Sequence, residues 1–500
     1  MSGGRSADAR EFIDLLVDRG SWRAWDSPAV DPVDPGTAYG RQLAAAREKS
    51  GFDESVVTGE GLLYGRPVAI VASEMSFLGG SIGVTSAERL TTAVERATRE
   101  RLPLIAVTAS GGMRMQEGTV GFLQMVKLSA SVTRHRRRHL PYLAYLRNPT
   151  TGGVFASWGS LGHLTMAEPG ALIGFAGPRV HEEMVGGAMP GGVQVAENLV
   201  RVGVLDGVVE PGTFRESAAT ALSVMCGPGT GAPSQAALSL LQEEVPAGVP
   251  AWESVERSRR ADRPGLRELL ALAAADVTWL NGSGEGDSDS ALVLVLARFG
   301  EARCVLLGHD RRGHPPAIGP AGLRIARRGM KLAEELTLPL VTVVDTPGAA
   351  ISRESEEGAL SGEIARCLSG LIFLESPTVS VLLGEGAGGA ALALLPCDRV
   401  LCSEHAWLAP LAPEAAGALL YRSGGHAAEL AELQRVRSAD LLADGIVDQV
   451  LPECPDAADE PAAFCRRVGR FLEEALRIVG SLDSDSRLSA RLDRYRRLGA

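Results

Sequence analysis

Four glycine turns are the features of this 500-residue chain best suited to chemistry. They are Thr108-Ala-Ser-Gly-Gly112, Pro149-Thr-Thr-Gly-Gly153, Asp345-Thr-Pro-Gly348 and Gly384-Glu-Gly-Ala-Gly-Gly389. Each follows a short apolar run that reads as a strand, and the second and fourth are expected to open helices. Glycine lets backbone approach a ligand closely and adopt φ values that other residues avoid. The first N–H groups of a helix have no internal acceptor and carry partial positive charge. Together these properties make an oxyanion hole. One such turn would read as a tight strand–helix connection; four at matched spacing read as function. Gly152-Gly153 and Gly388-Gly389, expected to open helices, are therefore the candidate oxyanion-hole donors.

Neither Gly-Gly loop contains a histidine. His181 lies in a helical stretch and reads as structural. His309 follows Gly308 at a strand end, where it either touches a ligand or caps the turn. The basic run Arg134 to His139 reads as a solvated helix end. These turns can thus stabilise developing negative charge without an evident protein base, which suits enolate chemistry whose base arrives with a substrate or cofactor. Two motifs compete with this reading. Gly79-Gly-Ser-Ile-Gly83 matches the G-x-S-x-G nucleophile elbow, but no ordered acid and histidine accompany it. Gly384 to Gly389 matches G-x-G-x-x-G, but its counterpart in the first half lacks that fingerprint.

The elements that must position these turns come in two copies. Leu102-Pro-Leu-Ile105 recurs as Leu338-Pro-Leu-Val341, an offset of 236. Gly152-Gly153 recurs as Gly388-Gly389, and Glu168 as Glu404, at the same offset. β-rich runs such as Pro67 to Val71 alternate with helical stretches such as Ser86 to Arg99, predicting an α/β fold. Residues 8–25 read as one short helix. Gly227 to Ser234 and the charged Glu256 to Pro264 read as connections, and the tail beyond Pro461 reads as helix.

Lys and Arg number 50 against 61 Asp and Glu, a net charge of −11, which argues against a dedicated nucleic-acid binder. None of the seven Cys precedes Cys226 and none is spaced C-x-x-C, so a zinc ribbon and a disulfide framework are not expected. No apolar run approaches a membrane span. The expectation is a cytoplasmic protein without membrane or nucleic-acid partners.

The first half resembles the beta subunit of the carboxyltransferase of bacterial acetyl-CoA carboxylase. The resemblance runs through VVTGEGLLYGRPV (56–68), FLGGSIG (77–83), LPLIAVTASGGMRMQEG (102–118) and NPTTGGVFASWGSLGHLTMAEPGALIGFAGPRV (148–180). The second half resembles the alpha subunit through AWESVERSRRADRP (251–264), ARFGEARCVLLGHDRRG (297–313), GLRIARRGMKLAEELTLPLVTVVDTPGA (322–349) and SPTVSVLLGEGAGGAALALLPCDRV (376–400). The whole resembles the fused beta/alpha form.

The resemblance implies two tandem crotonase-like domains of repeated ββα units. An N-terminal helical segment (1–55) would precede a beta-like domain (56–226), a linker (227–280) and an alpha-like domain (281–500). It implies carboxyl transfer from carboxybiotin, carried by a separate protein, to acetyl-CoA, giving malonyl-CoA for fatty-acid or polyketide synthesis. One of the pairs Gly152-Gly153 and Gly388-Gly389 would hold the thioester enolate and the other the biotin oxyanion. Gly111, Gly112 and Gly348 would lie on ligand-facing turns, and His309, from its place at a strand end, is expected beside them as a substrate-binding residue. No biotin-attachment site or P-loop is evident, so a biotin carboxyl carrier and a biotin carboxylase are the expected partners, with the active site between unlike domains of a homodimer or larger assembly. The chain opens directly on AREFIDLLVDRGSW (9–22), before which the family's beta subunit carries a zinc ribbon, so no zinc is expected. The usual T-P-G-A-Y-P-G reads Thr346-Pro-Gly-Ala-Ala-Ile-Ser352, and a His-Gly-Asp-Arg stretch has become Leu280-Asn-Gly-Ser283. Alternatives are a malonyl-thioester decarboxylase on the same turns, or a non-catalytic scaffold subunit.

Overall fold

Short apolar runs, buried on both faces, set the frame, as strands covered on both sides require. The computed structural model describes residues 7–227, 249–313, 317–422 and 424–498, in two units divided at Cys226 and Gly227. In the first unit the strands are β1 (Arg23–Ala24), β2 (Val56–Leu63), β3 (Arg66–Ser73), β4 (Leu104–Ser110), β5 (Tyr142–Thr151), β6 (Leu164–Ala167), β7 (Ile173–Gly174) and β8 (Gly207–Val208). They form one sheet in the order β1-β2-β3-β4-β5-β6-β8, with β7 beside the end of β5. Pairing is antiparallel from β1 to β3 and parallel thereafter. Tyr64 and Gly65, both at positive φ, close the β2–β3 hairpin.

The second unit repeats this plan. Its strands are β9 (Asp276–Leu280), β10 (Leu292–Phe299), β11 (Ala302–His309), β12 (Leu340–Thr346), β13 (Thr378–Ala387), β14 (Arg399–Ser403), β15 (Trp407–Ala409) and β16 (Gln449–Leu451). Their order is β9-β10-β11-β12-β13-β14-β16, with β15 beside β13. The 236-residue offset is structural: β2, β3, β4 and β5 begin and end 236 residues before β10, β11, β12 and β13. The crossover helices obey it too. Helix Val84–Arg99 buries Ala87, Leu90, Val94 and Ala97; helix Pro320–Leu336 buries Leu323, Ala326, Met330 and Ala333. Spacings of three and four keep each set on one helical face against its sheet.

The N-terminal stretch is shorter in helix than its periodicity predicts. Asp8 caps a helix at Ala9–Leu16 through a capping box with Glu11. Gly20 at positive φ then turns the chain, and Arg23–Ala24 pairs with Gly59 and Glu60 as β1. Phe12 packs on Tyr145, ring centroids 5.3 Å apart. Of the Gly/Pro/Ser cluster read as a connection, residues 228–234 lie outside the described residues. Residues 249–280, read from sequence as part of the linker, carry helices Ala251–Ser258 and Leu266–Ala273 and strand β9, which pairs with β10. Their charges are internally paired. Arg259 binds Glu385 and Glu414, and the fully buried Arg263 forms two 2.7 Å bonds to Glu453. The Arg-rich tail is likewise absorbed: Arg491 binds Asp398 at 2.7 Å and Arg494 binds Asp448 at 2.6 Å. No helix among the described residues is long and apolar enough to cross a membrane.

Candidate functional site

All four glycine turns lie at the C-terminal ends of parallel strands, two in each unit: β4 and β5 in the first, β12 and β13 in the second. Each strand pair slips register at its end, between Thr108 and Ser110 in one unit and Val344 and Thr346 in the other. Such a bulge bends the strand and ends its pairing, which brings the two turns of a unit together. A Cβ at Gly152 would sit 3.2 Å from the Gly112 Cα, and a Cβ at Gly348 would sit 3.9 Å from the Ala387 carbonyl oxygen.

The N–H groups at these turns divide into engaged and unengaged sets. The Gly111 N–H donates to the Gly79 carbonyl at 2.9 Å, and the Gly112 N–H to the Ser110 hydroxyl at 3.0 Å. The Gly348 N–H donates in the same way to the Thr346 hydroxyl at 3.1 Å. The Gly152 N–H is taken by the carbonyls of Gly174 and Phe175. Gly153 donates to no acceptor among the described residues. Gly388 and Gly389 begin helix Gly388–Leu392, where N–H groups lack intrahelical acceptors. In the first unit the glycine pair opens a run of turns and a 3₁₀ segment, Trp158–Ser160, instead of the expected helix. The first unit's available donor is thus Gly153, and the second unit's candidate donors are the helix-opening Gly388 and Gly389.

The two competing motifs have structural explanations. In Gly79-Gly-Ser-Ile-Gly83, Gly79 and Gly80 take positive φ, and a Cβ at Gly80 would lie 2.0 Å from the Ala109 carbonyl oxygen. A Cβ at Gly83 would strike Glu117, whose carboxylate accepts the Val84 N–H at the start of helix Val84–Arg99. The Ser81 hydroxyl donates to the Leu78 carbonyl at 2.7 Å. This loop braces the Gly111-Gly112 turn, with the Ile82 N–H donating to the Gly112 carbonyl at 2.9 Å. Gly384 and Gly386 lie inside β13, where a Cβ would meet Asp345 at 2.4 Å or the Trp407 carbonyl oxygen at 2.7 Å. They serve strand packing.

His309 is fully buried at the end of β11. Its Nδ1 accepts the Asp345 N–H at 3.4 Å, and burial pushes the imidazole down to about 4. It stands as a neutral imidazole against the end of β12. His181 is held by the Gly187 carbonyl at 2.9 Å. In the run Arg134 to His139, His135 is the buried member, 3.0 Å from the Thr98 hydroxyl. Glu168 and Glu404, matched in sequence, do different work: Glu168 accepts from the Asn148 N–H and Glu404 from the Glu453 N–H. Among the described residues no three His, Cys, Asp or Glu side chains converge as a metal-binding group.

Sequence reasoning missed the supports. Arg114 and Glu54 form a wholly buried bidentate pair under the first unit's turns, one bond being 2.7 Å. Glu117 also receives the Tyr39 hydroxyl. In the second unit the Asp289 carboxylate takes the Gly319 and Gly322 N–H groups at the start of helix Pro320–Leu336. The only sequence signal for these roles was a charged residue beside a glycine motif.

The chain matches the carboxyl transferase domain model over residues 4–477. It is 55% identical over 487 residues to a probable biotin-dependent acyl-coenzyme A carboxylase beta3 subunit of Mycobacterium tuberculosis, covering 97% of both chains. It is 36% identical over 502 residues to the acetyl-coenzyme A carboxylase carboxyl transferase subunits beta/alpha of Saccharopolyspora erythraea, covering 97% of this chain and 88% of that one. Its fold is similar to that of the transcarboxylase 12S core solved with methylmalonyl-coenzyme A, with a TM-score of 0.73 at 21% identity, covering 94% of this chain and 89% of that one.

Proposed function

The chain belongs to the carboxyl transferase domain family, and on that premise we propose that it is the carboxyltransferase component of a biotin-dependent acyl-CoA carboxylase. It moves a carboxyl group from biotin, held on a separate carrier protein, to acetyl-CoA, giving malonyl-CoA. The observation that carries this reading is a strand-end glycine site in each unit, with the Gly153 N–H unengaged among the described residues in one and Gly388-Gly389 opening a helix in the other. Two oxyanions form in such a transfer, one on a thioester and one on a ureido group, and each needs donors fixed in advance. Carboxybiotin, when bound, supplies both the carboxyl group and the base. The protein's own part is then to orient two ligands and meet charge with backbone dipoles. Gly111, Gly112 and Gly348 shape the floor beside those donors.

A biotin carboxylase and a biotin carrier are the partners this activity requires. Assembly into a homodimer or larger species is supported by exposed apolar side chains on the helix Gly118–Arg136, among them Val120, Phe122, Leu123 and Val126, and by Leu419 and Leu420 in the second unit. The test is malonyl-CoA-dependent carboxylation of free biotin by the purified chain, with acetyl-, propionyl- and longer acyl-CoA compared in the forward direction. Preference for acetyl-CoA is the expected result. Release of CO₂ from malonyl-CoA without biotin, faster than carboxylation, would overturn the proposal in favour of a decarboxylase. A folded chain inactive in both assays would favour a scaffold.

A further inference from the structure

We propose that Asp345 is a positioning residue for the second unit's glycine turns, its carboxylate holding the strand end that carries Gly388 and Gly389 in register with the turn at Gly348. This rests on the carboxyl-transfer reading above and adds a residue which that reading does not use. Asp345 is 2% exposed and sits at the register shift between β12 and β13. There the Glu385 N–H is accepted at 3.0 Å by Asp345 Oδ1. A buried N–H left without an acceptor is costly, so this carboxylate closes a gap that the bulge opens.

The chain's own first half supplies the control. Counting back 236 residues, Asp345 becomes Ala109, Gly384 becomes Asn148 and Glu385 becomes Pro149. Proline has no N–H to satisfy. Where that donor is missing, the carboxylate is missing too. Size reverses as well: a small Ala109 goes with Asn148, while Asp345 goes with Gly384, whose Cβ would lie 2.4 Å from its Oδ1. The first unit ties its strand ends with hydroxyls instead. Thr108 and Thr150 are 2.8 Å apart, and the Thr151 hydroxyl donates to the Ser110 carbonyl at 3.4 Å.

The second carboxylate oxygen of Asp345 faces the Arg311 guanidinium at 3.5 Å, and Arg311 is itself held by the Ser258 carbonyl at 2.8 Å. Burial raises the carboxyl above its usual range, with the Arg311 charge opposing that rise. The hydrogen bond to Glu385 is therefore the specific contact, and an amide of the same shape can reproduce it.

The experiment compares wild type, Asp345→Ala and Asp345→Asn as full-length chains. Two readouts are used: malonyl-CoA-dependent carboxylation of free biotin, and hydrogen exchange of peptides spanning 384–392. Asp345→Ala is expected to lower kcat about 10- to 100-fold, the scale of a misplaced catalytic group, with each KM within about threefold. It is also expected to speed exchange at 384–389. Asp345→Asn is expected to fold, keep kcat within about fivefold of wild type and leave exchange unchanged. An Asp345→Ala enzyme with wild-type kcat and exchange would overturn the proposal. So would a folded Asp345→Asn enzyme as impaired as the alanine variant, because charge toward Arg311 would then be the operative contact. If wild type itself fails to carboxylate biotin, the functional reading falls, and the exchange comparison still decides the role of Asp345.

Discussion

At the scale of single residues, catalysis is assigned to backbone donors, so side-chain size at the glycines is the sensitive variable. A Cβ at Gly153 would lie 2.6 Å from the Met113 Cγ, and one at Gly389 would lie 3.1 Å from the Ile364 Cδ1. Gly153→Val and Gly389→Val should each push branched methyls into that space and misalign the N–H groups. Loss of one oxyanion donor typically costs about 100- to 1,000-fold in rate, and each variant should lose carboxyl transfer on that scale. Steady-state kinetics with malonyl-CoA and biotin varied separately checks this. Near-full activity in both folded variants would reduce these glycines to turn residues. The glycines themselves were legible in the sequence. Which of their N–H groups are engaged was not, because the acceptors at Gly79, Gly174 and Phe175 are backbone carbonyls, which leave no mark in side-chain identity.

At the scale of elements, crossover helices and strands were legible from periodicity, since apolar spacing reports a face directly. The short edge strands and the segment 251–280 were not. Their charges read as solvent-facing until their partners, remote in sequence, are known. The buried pair Arg114–Glu54 is of the same kind, sixty residues apart in the chain. Removing one partner of a wholly buried ion pair leaves the other charged and unpaired, at a cost of about 3–5 kcal/mol. Arg114→Met should destabilise the first unit by that amount. Arg114→Met with Glu54→Leu should recover most of it. Urea unfolding followed by a probe in the first unit measures both, and equal losses in the single and double variants would show that packing, not charge, is what matters there.

At the scale of the whole molecule, His135 in the first unit and His309 in the second are deeply buried imidazoles held neutral. Burial pushes both from 6.5 to about 4. Between those values the unfolded chain binds more protons than the folded one, so stability must fall as pH drops from about 6.5 toward 4. Thermal unfolding at pH 7.5 and pH 5 should show lower melting temperatures at the acid end, and a His135→Gln, His309→Gln double variant should flatten that slope. Light scattering should find a dimer or larger species; an active monomer would remove the proposed role of the exposed apolar faces. The constant offset from Val56 to Thr151 and from Leu292 to Ala387 has a further consequence. The two copies keep equal length through this stretch although most of their residues differ. One extra residue in helix Val84–Arg99 would swing its downstream apolar side chains about 100° around the axis, out of the sheet's reach. Engineering here can therefore exchange residues between the halves only in coupled sets, such as Asp345 together with Gly384 and Glu385, and cannot lengthen either half.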